Sequence, residues 1–118
     1  MKKVLPLLLF VLLAFAGCQR EPATYQMASS PREMAVNAEK FSKQVSKQSK
    51  HYSTEDWQVV EQQFIAMGKN YVENMRLMTE EERMRFDQAR LDFMQAVSTN
   101  GGEELTARIK ADYANIIE

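Results

Sequence analysis

The chain has 118 residues, 15 of them basic and 16 acidic, so its formal net charge is -1. This net charge is not the strongly positive one that is typical of nucleic-acid-binding proteins, and a single cysteine excludes both a disulfide framework and a zinc site made of thiolates. Helix-favouring residues are abundant, glycine and proline are scarce, and no strand-like alternation is evident, so the composition predicts one small all-α domain.

Residues 1–17 have the layout of a bacterial export signal. Lys2 and Lys3 provide a positively charged amino end, and an apolar run of thirteen residues follows from Val4 to Ala16. The run is too short to cross a bilayer, which takes roughly 20 apolar residues. We therefore predict a cleaved signal peptide rather than an uncleaved membrane anchor.

The signal ends at Cys18, which follows Phe15, Ala16 and Gly17. These four residues resemble the lipobox of bacterial lipoproteins, although that family usually has leucine in the position of Phe15. The resemblance implies that the Cys18 sulfur receives a diacylglyceryl group and that acylated Cys18 becomes the mature amino terminus. A lone free thiol in an oxidising compartment would also be a liability. The alternative is cleavage between Ala16 and Gly17 by ordinary signal peptidase, which would release a soluble protein.

Acylation also predicts where the protein resides. Two or three acyl chains hold a protein stably at a membrane, because each buried methylene contributes roughly 0.8 kcal/mol. Gln19 follows the acylated cysteine, whereas enterobacterial lipoproteins that stay in the inner membrane carry aspartate there. The resemblance therefore implies a cell-envelope protein that is anchored in the outer membrane and faces the periplasm.

The residues after the anchor divide into a tether and a folded domain. Residues 18–29 show no period and little bulk, so we predict a lipidated tether. Residues 30–118 are predicted to form the helical domain. Its first helix should cover about residues 31 to 50, because Ser30, Pro31 and Glu33 supply an N-cap, a first-turn proline and a capping box.

The first helix is predicted to be amphipathic. Its buried stripe comprises Met34, Ala38, Phe41 and Val45. The opposite face carries Lys40, Lys43, Lys47 and Lys50. We interpret this basic face as solvated, and the alternative is a surface that contacts anionic lipid or glycan.

The second helix is predicted over about residues 54 to 77. Ser53 can cap it, and Tyr52 and Trp57 occupy the positions of a hydrophobic staple, so we assign Trp57 to the core rather than to a ligand site. Gly68 indicates close approach of another helix. The predicted stripe comprises Trp57, Val60, Phe64, Met67, Tyr71, Met75 and Met78, with Ile65 and Val72 on one flank. A stripe this broad predicts contact with two neighbours, and hence a central helix.

Two further helices are predicted over about residues 80–98 and 103–117. Thr79 caps the first of them. The three glutamates that follow are at the amino end of the helix, where the helix dipole favours negative charge, so we do not interpret them as a metal site. Met84 and Leu91 lie nearly opposite the main apolar stripe, so we predict that the last helix covers this second face. Asn100-Gly101-Gly102 ends the helix over residues 80–98 and separates it from the last helix. The main apolar stripe of the helix over residues 80–98 comprises Phe86, Ala89, Phe93 and Val97.

Together these elements predict an antiparallel bundle of three to four helices. The segments Tyr52-Ser53-Thr54-Glu55-Asp56-Trp57 and Thr79-Glu80-Glu81-Glu82 resemble a family of small bacteroidete-type lipoproteins whose domain has no assigned function. The likeness covers roughly residues 30 to 98. It implies a helical domain tied to the envelope and supplies no catalytic residues.

The sequence offers no recognisable catalytic, cofactor or metal site. His51 is the only histidine, and the helix start at Ser53 separates it from Glu55, so we interpret it as a surface residue. No glycine-rich phosphate loop is present. We therefore predict that the protein is not an enzyme.

Leftover apolar positions suggest a binding role. Val59, Leu77, Met84 and Leu91 exceed what one four-helix arrangement need bury, so we predict an interaction module for an envelope protein or for a second copy of the chain. The alternative is a carrier whose methionines line a pocket for an apolar ligand, since seven of the eight methionines follow the signal.

Overall fold

The computed structural model describes residues 21–117, which form four helices. We name them α1 (Pro31–Gln48), α2 (Thr54–Asn74), α3 (Glu80–Asn100) and α4 (Glu103–Ile117). Short 3-10 turns at Ser49–His51 and Met75–Leu77 follow α1 and α2. The predicted all-α bundle is confirmed, and the described residues contain no strand. The predicted first and second helices are longer than α1 and α2 because they include these tighter turns.

Ser53 and Thr79 cap the starts of α2 and α3, as the sequence predicts, and each forms part of a capping box. The Ser53 hydroxyl accepts from the Asp56 N–H at 3.1 Å, and the Asp56 carboxylate accepts from the Ser53 N–H at 3.0 Å. Thr79 and Glu82 form the same reciprocal pair, at 3.1 and 2.8 Å. Each box satisfies two N–H groups that the first turn of a helix leaves without partners.

The start of α1 is capped differently from the prediction. The Ser30 hydroxyl accepts from the Glu33 N–H at 3.2 Å, so the N-cap itself is present. The Glu33 carboxylate, however, accepts from the N–H and the hydroxyl of Ser29, both at 3.1 Å, and not from Ser30. The chain entering α1 is therefore fixed one residue earlier than a capping box would fix it.

The helices pack as two parallel pairs, α1 with α3 and α2 with α4. In the first pair, Arg85 donates two hydrogen bonds to the Glu39 carboxylate, at 2.6 and 3.0 Å. In the second pair, Arg108 holds the Glu61 carboxylate in the same two-point manner, at 2.9 and 3.0 Å. Although helices adjacent in sequence are joined by short turns, the most extensive contacts are between every second helix.

Stacked aromatic rings join the two pairs of helices at the centre. The rings of Phe64 on α2 and Phe93 on α3 lie 4.1 Å apart and nearly parallel, at 10°. Phe41 on α1 stacks on Phe93 at 5.5 Å, and Tyr113 on α4 stacks on Phe64 at 5.0 Å. Every helix therefore contributes one ring to the same core, and such pairs are worth about 0.5–1.5 kcal/mol each beyond the area they bury.

The position of α4 differs from the prediction. A Cβ atom on Gly68 would lie 3.0 Å from the Tyr113 ring, so α4 crosses α2 at this glycine, and the predicted close approach at Gly68 is confirmed. Because α4 packs on α2, it leaves the second face of α3 open, where Met84 is 64% and Leu91 51% exposed. The prediction that the last helix covers this face is wrong.

Residues 23–28 also differ from the prediction. Ala23, Tyr25 and Ala28 are buried and belong to the main hydrophobic cluster. The expectation of a free tether through residue 29 is therefore wrong for residues 23–28, which we call the strap. The strap has no regular secondary structure and lies against α1 and α2.

Candidate functional site

Asn70 on α2 is the main polar attachment point of the strap. Its side chain is 1% exposed, and its Oδ1 atom accepts from the Ala28 N–H at 2.8 Å and from the Tyr25 hydroxyl at 2.6 Å. Its Nδ2 atom donates to the Ala28 carbonyl at 3.1 Å. One buried amide thus satisfies both backbone groups of Ala28, as a neighbouring strand would.

Other side chains hold the rest of the strap. The Tyr25 N–H donates to Gln63 Oε1 at 2.7 Å, and Asn37 on α1 donates to the Gln26 carbonyl at 3.0 Å. The Tyr25 ring packs edge-on against Phe41, with centroids 6.3 Å apart. Burial in this setting raises the pKa of Tyr25 well above its usual value, so the hydroxyl stays protonated and remains a donor.

The sequence analysis missed the strap, although one signal pointed to it. Asn70 follows Met67 by three residues and therefore lies on the buried stripe of α2, where a side-chain amide needs buried partners. Tyr25 was a second signal, because a large aromatic residue is unusual in a flexible tether.

The four lysines of the predicted basic face stay at the surface, three of them on α1 and Lys50 in the turn after it. Lys40, Lys43, Lys47 and Lys50 are all exposed, on the side of the helix opposite Phe41. Among residues 21–117, none of them lies within 4.0 Å of a carboxylate oxygen. The predicted basic face therefore lies at the surface over the second half of α1 and the turn after it, about 15 Å from Lys40 to Lys50 at 1.5 Å per residue.

The leftover apolar positions are exposed, as the sequence predicts. Leu77 is 76% exposed in the turn before α3, and Val59 on α2 is 40% exposed. Met84 and Leu91 lie seven residues apart, and thus on one face of α3. These two form the apolar face of α3 that α4 leaves uncovered.

A groove between α3 and α4 adjoins this face. Its volume is about 450 Å³, and its lining includes the aromatic rings of Phe64 and Tyr113 together with Leu91 and Met94. Arg90 also lies at the groove, with its guanidinium carbon 5.8 Å from the centre of the Tyr113 ring. Of the seven methionines in residues 21–117, only Met94 lines the groove, and Met34, Met67 and Met78 pack within the buried core.

The remaining candidate residues do not come together in a reactive site. Trp57 is buried and packs edge-on against Tyr52 with centroids 5.0 Å apart, which confirms its assignment to the core. His51 is exposed. Within residues 21–117, no three histidine, cysteine or acidic side chains are placed to hold a metal ion together. The predicted lipidation site, Cys18, lies outside the described residues.

None of the helices in the described part of the chain has the length and apolarity to cross a membrane. No family model, curated protein or solved structure matches the chain. The lipobox and the resemblance to bacteroidete-type lipoproteins therefore stay predictions.

Proposed function

We propose that the chain is a lipoprotein of the bacterial cell envelope whose helical domain is a protein-interaction module. Acyl chains on Cys18 would hold it in the outer membrane, with the domain in the periplasm, as the lipobox-like segment before Cys18 indicates. The partner is an envelope protein or a second copy of the chain. The proposal includes no enzymatic activity, because the sequence offers no recognisable catalytic constellation.

The observation that supports the interaction role is the apolar face of α3. Single exposed apolar residues are common on soluble proteins and need no explanation. Met84 and Leu91, however, are two turns apart on one face and more than half exposed, and Leu77 continues the apolar surface in sequence just before α3. A spacing of seven residues suits the apolar stripe of another helix. We therefore place the partner on α3.

The anchor is tested by replacing Cys18 with serine in a bacterium that expresses the chain. The unaltered protein should sediment with membranes, resist extraction by 1 M salt and incorporate a fatty acid that carries an alkyne label. The Cys18→Ser variant should incorporate no label. An unaltered protein that is soluble and unlabelled would contradict the anchor.

The interaction surface is tested by cross-linking in cell envelopes. Replacing both Met84 and Leu91 with glutamine should remove the cross-linked species, because it removes exposed apolar surface without leaving a cavity. Val59→Gln is the matched control, since it makes the same kind of change on another helix and should leave the cross-links intact. Cross-links that survive the double replacement would exclude the α3 face as the interface.

A carrier for an apolar ligand is the second candidate, and the groove between α3 and α4 is the observation that favours it. Its volume of about 450 Å³ is in the range of small-molecule sites. Palmitate is a suitable probe: titration should raise the melting temperature of the purified protein, and Leu91→Arg should abolish the rise. A melting temperature that palmitate leaves unchanged would rule this function out for long-chain acids.

A further inference from the structure

The strap leaves the domain where α1 ends and α2 begins. The N–H of Ala23, a fully buried residue, donates to the Tyr52 hydroxyl at 3.3 Å, and that hydroxyl donates to Gln48 Oε1 at 2.8 Å. Five residues along the chain separate Ala23 from Cys18, so their Cα atoms are at most about 18 Å apart. Whatever holds Cys18 is therefore close to the carboxyl end of α1.

The charge of the domain is unevenly distributed about this end. Residues 31–50 carry five basic and two acidic side chains, a net of +3, whereas the rest of residues 21–117 carry seven and thirteen, a net of -6. Both acidic groups in residues 31–50 are engaged, Glu39 by Arg85 and Glu33 by Ser29. Lys40, Lys43 and Lys47 on α1 and Lys50 in the turn after it are thus exposed charges with no carboxylate partner among residues 21–117.

We propose that the lysine face of α1 lies on the anionic headgroups of the membrane that holds Cys18. This inference rests on the proposed lipid anchor and adds the orientation of the domain to it. Each lysine near an anionic surface strengthens binding about fivefold, while the acidic remainder is repelled. The strap limits the distance between the anchor and the domain, because only residues 18–22 precede the buried Ala23. The α2 and α4 pair, on the far side of the core from the lysines, then faces the aqueous phase.

The orientation can be measured with an anchor that is supplied chemically. Since Cys18 is the only cysteine, the purified chain from residue 18 to 118 can be coupled through it to a maleimide lipid in vesicles. The acetylation rate of each lysine is then read by mass spectrometry. In vesicles containing phosphatidylglycerol, Lys43, Lys47 and Lys50 should react at least about fivefold more slowly than in pure phosphatidylcholine vesicles. Lys69 and Lys110, exposed on α2 and α4, should react at the same rate in both.

Two results would overturn the proposal. Equal rates for all lysines in both kinds of vesicle would mean that the face of α1 is simply solvated. Equal protection of the α1 lysines in both kinds of vesicle would mean that the anchor brings them close without headgroup contact. Because the coupling replaces acylation, neither result bears on whether cells acylate Cys18, so failure of the orientation and failure of the anchor are separate outcomes.

Charge variants provide a second measurement that needs no anchor. With the Cys18 thiol blocked, the purified chain should partition to phosphatidylglycerol vesicles in a salt-dependent manner. Replacing Lys47 and Lys50 with glutamine should weaken partitioning about 25-fold, at fivefold per lysine. Replacing Lys69 and Lys110 instead should change it less than about twofold. Equal losses for the two pairs would show attraction by overall charge only and would contradict the proposal.

Discussion

Replacing Asn70 with alanine tests the strap most sharply. The change removes the two hydrogen bonds to the Ala28 backbone and the one from the Tyr25 hydroxyl, all in a buried setting. At about 1 kcal/mol net for each bond, the loss is about 3 kcal/mol, from which the better helix propensity of alanine recovers about 0.5 kcal/mol. We therefore expect the free energy of unfolding to fall by about 2–3 kcal/mol.

The matched control is Asn74→Ala, one helical turn further along α2. The Asn74 amide donates only to the Asn70 carbonyl, within the same helix, and it does not reach the strap. This control shares the propensity gain of the alanine change, so its free energy of unfolding should change by less than about 0.5 kcal/mol.

Urea unfolding at 25 °C measures both changes, and hydrogen exchange locates them. In Asn70→Ala, the amides of Tyr25 and Ala28 should exchange much faster. The exchange rates of amides at the centres of α1 and α3 should rise only by the amount that the loss of global stability predicts. A loss below about 1 kcal/mol together with unchanged protection of Ala28 would refute the role given to Asn70.

Three further predictions concern the bundle itself. Ser53→Ala and Thr79→Ala should each lower the free energy of unfolding by about 1 kcal/mol in urea titrations, because each removes one half of a capping box, whereas an effect below about 0.3 kcal/mol would contradict the caps. Ser42→Ala should raise it by about 0.5–1 kcal/mol, since the buried Ser42 hydroxyl has no hydrogen-bond partner among the described residues and alanine is the better helix former; a loss of stability would reveal a partner for that hydroxyl. The hydrogen bonds from Arg85 hold the pKa of Glu39 below its usual value of 4.5. The pair therefore stabilises the fold above about pH 4.5, and this contribution is lost as the pH falls through the lowered pKa. Glu39→Gln should flatten that part of the plot of unfolding free energy against pH, and an unchanged plot would contradict the assignment.

Much of the fold could be predicted because helix signals are local. The caps at Ser53 and Thr79 act within a few residues, and so does the stop at Gly102, which the structure places in the left-handed region at a φ of 94°. A surplus of apolar side chains was also predictable, but its place was not, since the last helix was expected to cover Met84 and Leu91 and leaves them exposed.

The strap and the helix pairing could not be predicted in this way because both depend on contacts distant in sequence. The hydrogen bond between Asn70 and Ala28 joins residues 42 positions apart, and no local periodicity in the strap predicts it. The pairing of α4 with α2 depends on Gly68 accepting the Tyr113 ring, a match between two surfaces that neither segment shows alone. These long-range contacts determine which lysines and apolar side chains stay exposed at the surface, and the proposed binding surfaces therefore depend on them.

The anchor on Cys18 is the central claim, because both the location of the domain and its orientation at the membrane depend on it. Intact mass spectrometry of the protein extracted from membranes of an expressing bacterium tests it most directly. We expect the mass of residues 18–118 increased by a diacylglyceryl group, with or without a further amide-linked acyl chain. A mass that corresponds to unmodified residues 17–118, from protein that needs no detergent, would contradict it.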